Sequence, residues 1–154
     1  MRYPRLFQPL QIRHVRFRNR IFSAPVQTSY LDGMGYYTDY AIEYFAEKAR
    51  GGAALVTAGD TPVDGRYAAA TYRHPVLDDP GTLPSLCELV GAVHEYGAMV
   101  SVELNHAGSM AHPQYITGPS PIGPVDYLRK DGQPIKGMDG ELIAVQCVSH
   151  ELAV

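Results

Sequence analysis

The sequence predicts an α/β chain built on a parallel sheet, and three observations carry that prediction. Residues 19–24, 52–58 and a segment starting at 99 read as short, largely apolar strands. The stretches that join them place apolar residues at helical spacing, and each strand releases into a loop rich in Gly, Pro, Asp or His. Right-handed crossovers make a strand, helix, strand, helix, strand order parallel. A doubly wound sheet and a (β/α)8 barrel both begin this way, so periodicity alone leaves the two open.

The elements follow in order. Leu6 to Phe17 alternates loosely and turns around His14, which predicts an initial β-hairpin. Asn19-Arg20-Ile21-Phe22-Ser23-Ala24 is the first core strand, and Pro25 ends its ladder by withholding an amide. After a loop through Asp32-Gly33-Met34-Gly35, the residues Ala41, Ile42, Phe45, Ala46 and Ala49 form a helical stripe. Thr38 or Asp39 caps its start, and Gly51-Gly52 stops it. Gly52 to Ala58 is continuous and small or apolar, as a strand covered on both faces requires. A second helix runs from about Leu83 to Tyr96, with Leu86, Leu89, Val90 and Val93 inward, Cys87 on its covered side and Gly97 at its end. The third strand starts at Met99, and a long loop runs from Asn105 to about Lys136. Loops of this length are usually functional. Glu141 to Leu152 reads as the start of a third helix.

A chain of 154 residues with 45% hydrophobic and 19% charged residues builds one ordinary core. Its net charge of -3 argues against nucleic-acid and anionic-membrane partners. The cationic run Arg13, His14, Arg16, Arg18, Arg20 reads as the solvated face of the hairpin. Cys87 and Cys147 form no Cys-x-x-Cys pair, and the amino end carries no leader pattern, so a cytoplasmic location is expected. A few strands leave open sheet edges, which predicts either homo-oligomerisation or association through those edges, and a chain that is part of a larger protein.

Chemistry concentrates at Met99-Val100-Ser101-Val102-Glu103-Leu104-Asn105-His106-Ala107-Gly108, where a buried-strand pattern runs into polar side chains and then glycine. Ligands of α/β proteins gather at such carboxyl ends. Asp60, Glu103, His106 and His112 lack the tight spacing of a metal motif, so no metal site is expected. Gly33 and Gly35 do not complete a dinucleotide fingerprint, and there is no serine nucleophile elbow.

At the strand ends the sequence resembles a known family. Leu6-Phe7-Gln8-Pro9-Leu10, Asn19 to Pro25, Lys48-Ala49-Arg50-Gly51-Gly52-Ala53-Ala54-Leu55-Val56, and Val93 to Met99 leading to Leu104-Asn105-His106-Ala107-Gly108 resemble the old yellow enzyme family in their ordered succession. Gly118-Pro119-Ser120 is similar to an Ala-Pro-Ser that follows there. The resemblance covers roughly residues 5–143 and is nearest to the branch containing 2,4-dienoyl-CoA reductase and the bile-acid enoate reductases. It implies that residues 1–154 are the N-terminal portion of an FMN-binding (β/α)8 TIM barrel, with later strands missing. It also implies an oxidoreductase that transfers hydride from NAD(P)H to the activated C=C bond of an unsaturated carbonyl compound. Flavin-dependent amine oxidation within the same family is one alternative. A non-catalytic fragment acting through protein association is the other. An iron-sulfur cluster, carried by larger members, would belong to a region outside these residues.

The resemblance also assigns cofactor-binding positions. Ala24, Pro25, Val26, Gln27 and Thr28 correspond to the segment beneath the flavin, with a backbone amide near N5 or O4 and with Gln27 or Thr28 tuning its potential. Asp60 stands near the flavin carbonyl edge, where it either turns away, contacts the N3 hydrogen or caps its loop through the Val63 amide. Glu103 takes the place of a glutamine of the family; a carboxylate accepts from N3 but donates only when protonated. His106 is expected to shape its loop, with Gly108 turning the chain. The catalytic residues of the family come from later strands, so none is assigned here.

Overall fold

A computed structural model describes residues 3–71 and 73–123 together with the strand pairs 135–136, 142–143 and 146–147. A 3-10 turn at Pro4–Phe7 precedes the antiparallel hairpin of β1 (Leu10–Ile12) and β2 (Val15–Phe17). The turn falls at Arg13-His14, with Arg13 in the left-handed region at φ 50°. The expected alternation from Leu6 is therefore shorter, since Pro4 starts a helical turn that occupies the first residues.

The main sheet is parallel in the order β3-β4-β5, formed by Phe22–Val26, Leu55–Pro62 and Met99–Asn105. The crossovers are α1 (Asp39–Arg50) and α2 (Thr82–Glu95), as the two apolar stripes require. Ala41, Phe45 and Ala49 of α1 and Leu89 and Val93 of α2 bury against Val56 and Ala58 of β4. On the opposite face of the sheet, Thr57 Oγ1 and Ser101 Oγ share a 2.7 Å hydrogen bond.

Four local expectations are corrected. Pro25 does not end β3: the ladder continues to Val26 through a bulge, the arrangement that tolerates a proline without an amide. Thr38 occupies the cap position of α1, but its hydroxyl donates to Tyr30 O at 2.7 Å. Cys87 is exposed, because Leu86, Leu89 and Val93 already fill the covered face of α2. The helix expected over Glu141–Leu152 gives way to short strands, Leu142–Ile143 (β8) pairing with Ile135–Lys136 (β7), and Gln146–Cys147 (β9) pairing with Ile122–Gly123 (β6). Ile143 is β-branched, a residue type that favours extended backbone. The other residues of that expected helix lie outside the described set.

Arg18 is exposed, as the solvated face assigned to it requires, yet its guanidinium also reaches the helix ends. Its guanidinium donates to Ala49 O and Ala53 O at 2.7 Å each and to Tyr96 O. One cation thus serves the carboxyl ends of both α1 and α2, where helices leave carbonyls unpaired and their dipoles are negative. Asn19 completes this junction, accepting from the Ile21 amide at 2.9 Å and donating to Gly52 O at 2.8 Å. Arg18→Ala is expected to cost on the order of 1.5–3 kcal/mol in urea unfolding, the range for hydrogen bonds to a charged group, whereas Arg16→Ala should be near neutral.

Tyr37 supplies a second, pH-dependent test. Its ring packs edge-on against Phe45, and its buried hydroxyl lies by the equally buried Thr61 Oγ1, which tempers the effect of burial although neither hydroxyl makes a hydrogen bond of full geometry among the described residues. Burial pushes the phenol up to about 12. The unfolded chain loses this proton near pH 10 and the folded chain holds it, so the contribution is full below pH 10 and is lost as pH rises toward 12. Stability should fall there by roughly 2–3 kcal/mol from this group, and Tyr37→Phe should flatten that segment of an alkaline denaturation profile.

Candidate functional site

The two β-ladders are irregular at neighbouring places. Between Ser23↔Val56 and Val26↔Ala58, β3 spends one residue more than β4, so Ala24 and Pro25 form a bulge. Between Ala58↔Val102 and Thr61↔Leu104, β4 spends one residue more than β5, and Gly59-Asp60 form a second bulge. Bulges re-aim side chains and cluster near active sites. Here they sit side by side toward the carboxyl ends of parallel strands, where ligands of such sheets bind.

Gly59 lies between the bulges and permits their approach. A Cβ on Gly59 would stand 2.5 Å from Glu103 Oε2, 2.8 Å from Pro25 Cβ and 3.3 Å from the Val26 amide nitrogen. Pro25, Val26 and Glu103, from the two outer strands, therefore meet over the backbone of the middle one. Glu103 is exposed, and among the described residues no donor reaches its carboxylate. The strand-interior burial expected for it is not found, because the neighbouring Leu104 is also 64% exposed and β5 is an edge strand of the described sheet.

Gln27 and Asp60 gather around a residue that sequence reasoning passed over, His74. Its side chain is 1% exposed, and its Nδ1 lies 3.3 Å from Asp60 O, 3.7 Å from Asp60 Oδ2 and 3.5 Å from Gln27 Nε2. Asp60 thus turns toward the loop that follows β4. It does not cap Val63, whose amide donates to Asn105 O at 3.0 Å. Close contact of the His74 carbonyl with Gly35, at φ 90°, leaves no room for a side chain at that glycine. Nothing in spacing marks His74, since the site residues it meets, Asp60 and Gln27, lie 14 and 47 residues away.

The remaining assigned positions lie apart. Thr28 is buried and its Oγ1 accepts from the Tyr30 amide at 2.9 Å, which commits it to its own loop. Ala24 is exposed within the first bulge. His106 Nδ1 accepts from the Gly108 amide at 3.0 Å with Gly108 at φ 59°, the loop-shaping role expected of this pair. Among the described residues no three His, Cys, Asp or Glu side chains converge as metal ligands. Two open clefts border the site: one of about 550 Å³ lined by Gln27, Ser29, Thr71 and Arg73, and one of about 250 Å³ reaching from Gly35 and His74 to Gln114 and Tyr115.

With this geometry in view, residues 5–151 match the NADH:flavin oxidoreductase / NADH oxidase family. The chain belongs to that family. It is 39% identical over 121 residues to a metal reductase of Desulforamulus reducens, covering 76% of this chain and 18% of the relative. It is 33% identical over 125 residues to an NADH oxidase of Thermoanaerobacter brockii, covering 79% of this chain and 19% of the relative. Its fold is similar to that of an old yellow enzyme homologue from Zymomonas mobilis, with a TM-score of 0.76 at 22% identity over 96% of this chain and 41% of that one. The chain thus spans about a fifth of the curated relatives and two fifths of that structure. Its three parallel strands and two helices are the first part of a (β/α)8 barrel. Among the described residues no helix is long and apolar enough to cross a membrane.

The close approach at Gly59 is testable without a ligand. Gly59→Ala is expected to destabilise by about 1–3 kcal/mol, the usual cost of overpacking, because Pro25 Cβ and the Val26 backbone cannot swing away as Glu103 can. Gly33→Ala, which meets open space, serves as the near-neutral control in the same urea titration.

Proposed function

We propose that this chain carries the first flavin-contacting edge of an FMN-dependent oxidoreductase that uses NAD(P)H to reduce the activated C=C bond of a small unsaturated carbonyl compound. The observation that carries the reading is the meeting of Pro25, Val26 and Glu103 over Gly59, which gathers three of the positions that family resemblance assigns to the cofactor. When bound, FMN supplies hydride acceptance from the nicotinamide and hydride donation to the alkene.

Two features fit the group. The Glu103 carboxylate is an acceptor with no donor among the described residues, which suits a ring N–H. Pro25 is exposed over the buried Gly59 beside Val26, a compact apolar side chain of the kind a planar ring packs against. In this reading Pro25 and Val26 pack against the ring, the Val26 segment orients it, and Glu103 holds its polar edge. Asp60 stands back from that edge with His74, so its charge does not face the ring carbonyls. Proton donation to substrate is assigned to no residue of this chain.

Titrating the 154-residue chain with FMN, followed by absorbance and flavin fluorescence with mass checked by light scattering, tests the reading. Saturable one-to-one binding by a compact species is expected. Glu103→Gln keeps an acceptor and adds a donor, so it should bind at least as tightly, whereas Glu103→Leu should weaken binding roughly tenfold, about 1.4 kcal/mol. Equal affinity of all three would remove Glu103 from the site.

A further inference from the structure

We propose that His74 is a positioning residue that locks the Gln27 carboxamide with its oxygen offered to the 550 Å³ cleft, so that a ligand at this wall must bring an N–H or O–H donor. Nε2 of His74 lies 3.1 Å from the Thr71 backbone N–H and 2.6 Å from Thr71 Oγ1. A backbone amide can only donate, so Nε2 is an acceptor and the proton of the neutral ring sits on Nδ1. The Nδ1–H then donates to Asp60 O at 3.3 Å.

That choice settles the neighbouring amide. The Gln27 NH2 stands 3.5 Å from Nδ1, and two donors cannot bond each other. Its hydrogens go instead to Thr71 Oγ1 at 3.2 Å and Arg73 O at 3.4 Å. Thr71 Oγ1 is free to accept because its own hydrogen points to His74 Nε2. Among the described residues no donor reaches Gln27 Oε1, while Gln27 lines the cleft with Ser29, Thr71 and Arg73. Burial makes the arrangement stiff: His74 is 4% exposed, and rotating its ring would leave the Thr71 amide facing an N–H. Arg73, held at φ 60° between Thr71 and His74, belongs to the backbone turn that folds the ring back under Thr71.

The inference rests on the FMN reading for the identity of the ligand, with a ribityl hydroxyl as the donor because Glu103 takes the ring N–H, and on the structure alone for the network. Two variants separate the halves of the ring. His74→Asn keeps a donor toward Asp60 O, and His74→Phe keeps the packing without any polar atom. In the 15N-labelled chain, imidazole nitrogen resonances should report the Nδ1–H tautomer; an Nε2–H tautomer would overturn the proposal. The Gln27 side-chain amide resonances should move most in His74→Phe and less in His74→Asn, which keeps the donor toward Asp60 O but loses the Nε2 acceptor for Thr71. FMN binding should weaken roughly tenfold in His74→Phe and by much less in His74→Asn, with a shift of the visible flavin band only in the former. Unchanged Gln27 resonances and flavin spectra in both variants, with only a common loss of thermal stability, would reduce His74 to packing. A wild-type chain that binds no FMN would take down the flavin reading, and the tautomer and the Gln27 resonances would still decide the network.

Discussion

The approach of three strands over one glycine is the constraint on which the rest of the site depends. Parallel strands in regular register would carry Pro25, Asp60 and Glu103 past one another at fixed spacing. The extra residue in β3 and the extra residue in β4 shift those strands forward in turn, and they bring Pro25, Val26 and Glu103 to within contact of Gly59. A side chain at position 59 would occupy the space in which they meet. Bulges cost ladder hydrogen bonds, and such local departures from regularity persist where the surrounding structure holds them.

That support comes from the opposite end of the strands. Arg18 ties the last carbonyls of both helices together, Asn19 bonds the start of β3 to the Gly52 turn, and Phe17 packs against Phe22 with ring centroids 4.7 Å apart. Val56 and Ala58, fully buried under α1 and α2, then anchor the middle strand just before its bulge. The amino-terminal ends of the strands carry the stability, and the carboxyl ends carry the irregular geometry, a division familiar in barrels of this kind.

Much of this was legible in the residues. The stripe Ala41, Phe45, Ala49 and the stripe Leu89, Val93 specify two helices against one sheet face, and the small apolar run ending at Ala58 specifies a covered strand. The order of family-like motifs resolved the choice between a doubly wound sheet and a barrel, which periodicity left open. What escaped was set by contacts between residues far apart in the chain. Pro25 reads as a terminator because its missing amide is a local fact, whereas the bulge that accommodates it depends on β4. Arg18 reads as one more surface cation because its three carbonyl partners lie 31 to 78 residues away. His74 reads as a scattered histidine because Gln27 and Asp60 reach it only in the fold. The run after Glu141 misled through its apolar spacing, while its β-branched Ile143 pointed to strand.

The most direct test of the account is a map of FMN-induced amide shifts in the 15N-labelled chain. The account predicts that the largest changes fall on Val26, Gly59, Asp60 and Glu103, with Phe17, Arg18 and Gly97 at the far end unmoved. Saturating changes centred on the hairpin and helix ends, with Gly59 and Glu103 silent, would contradict it.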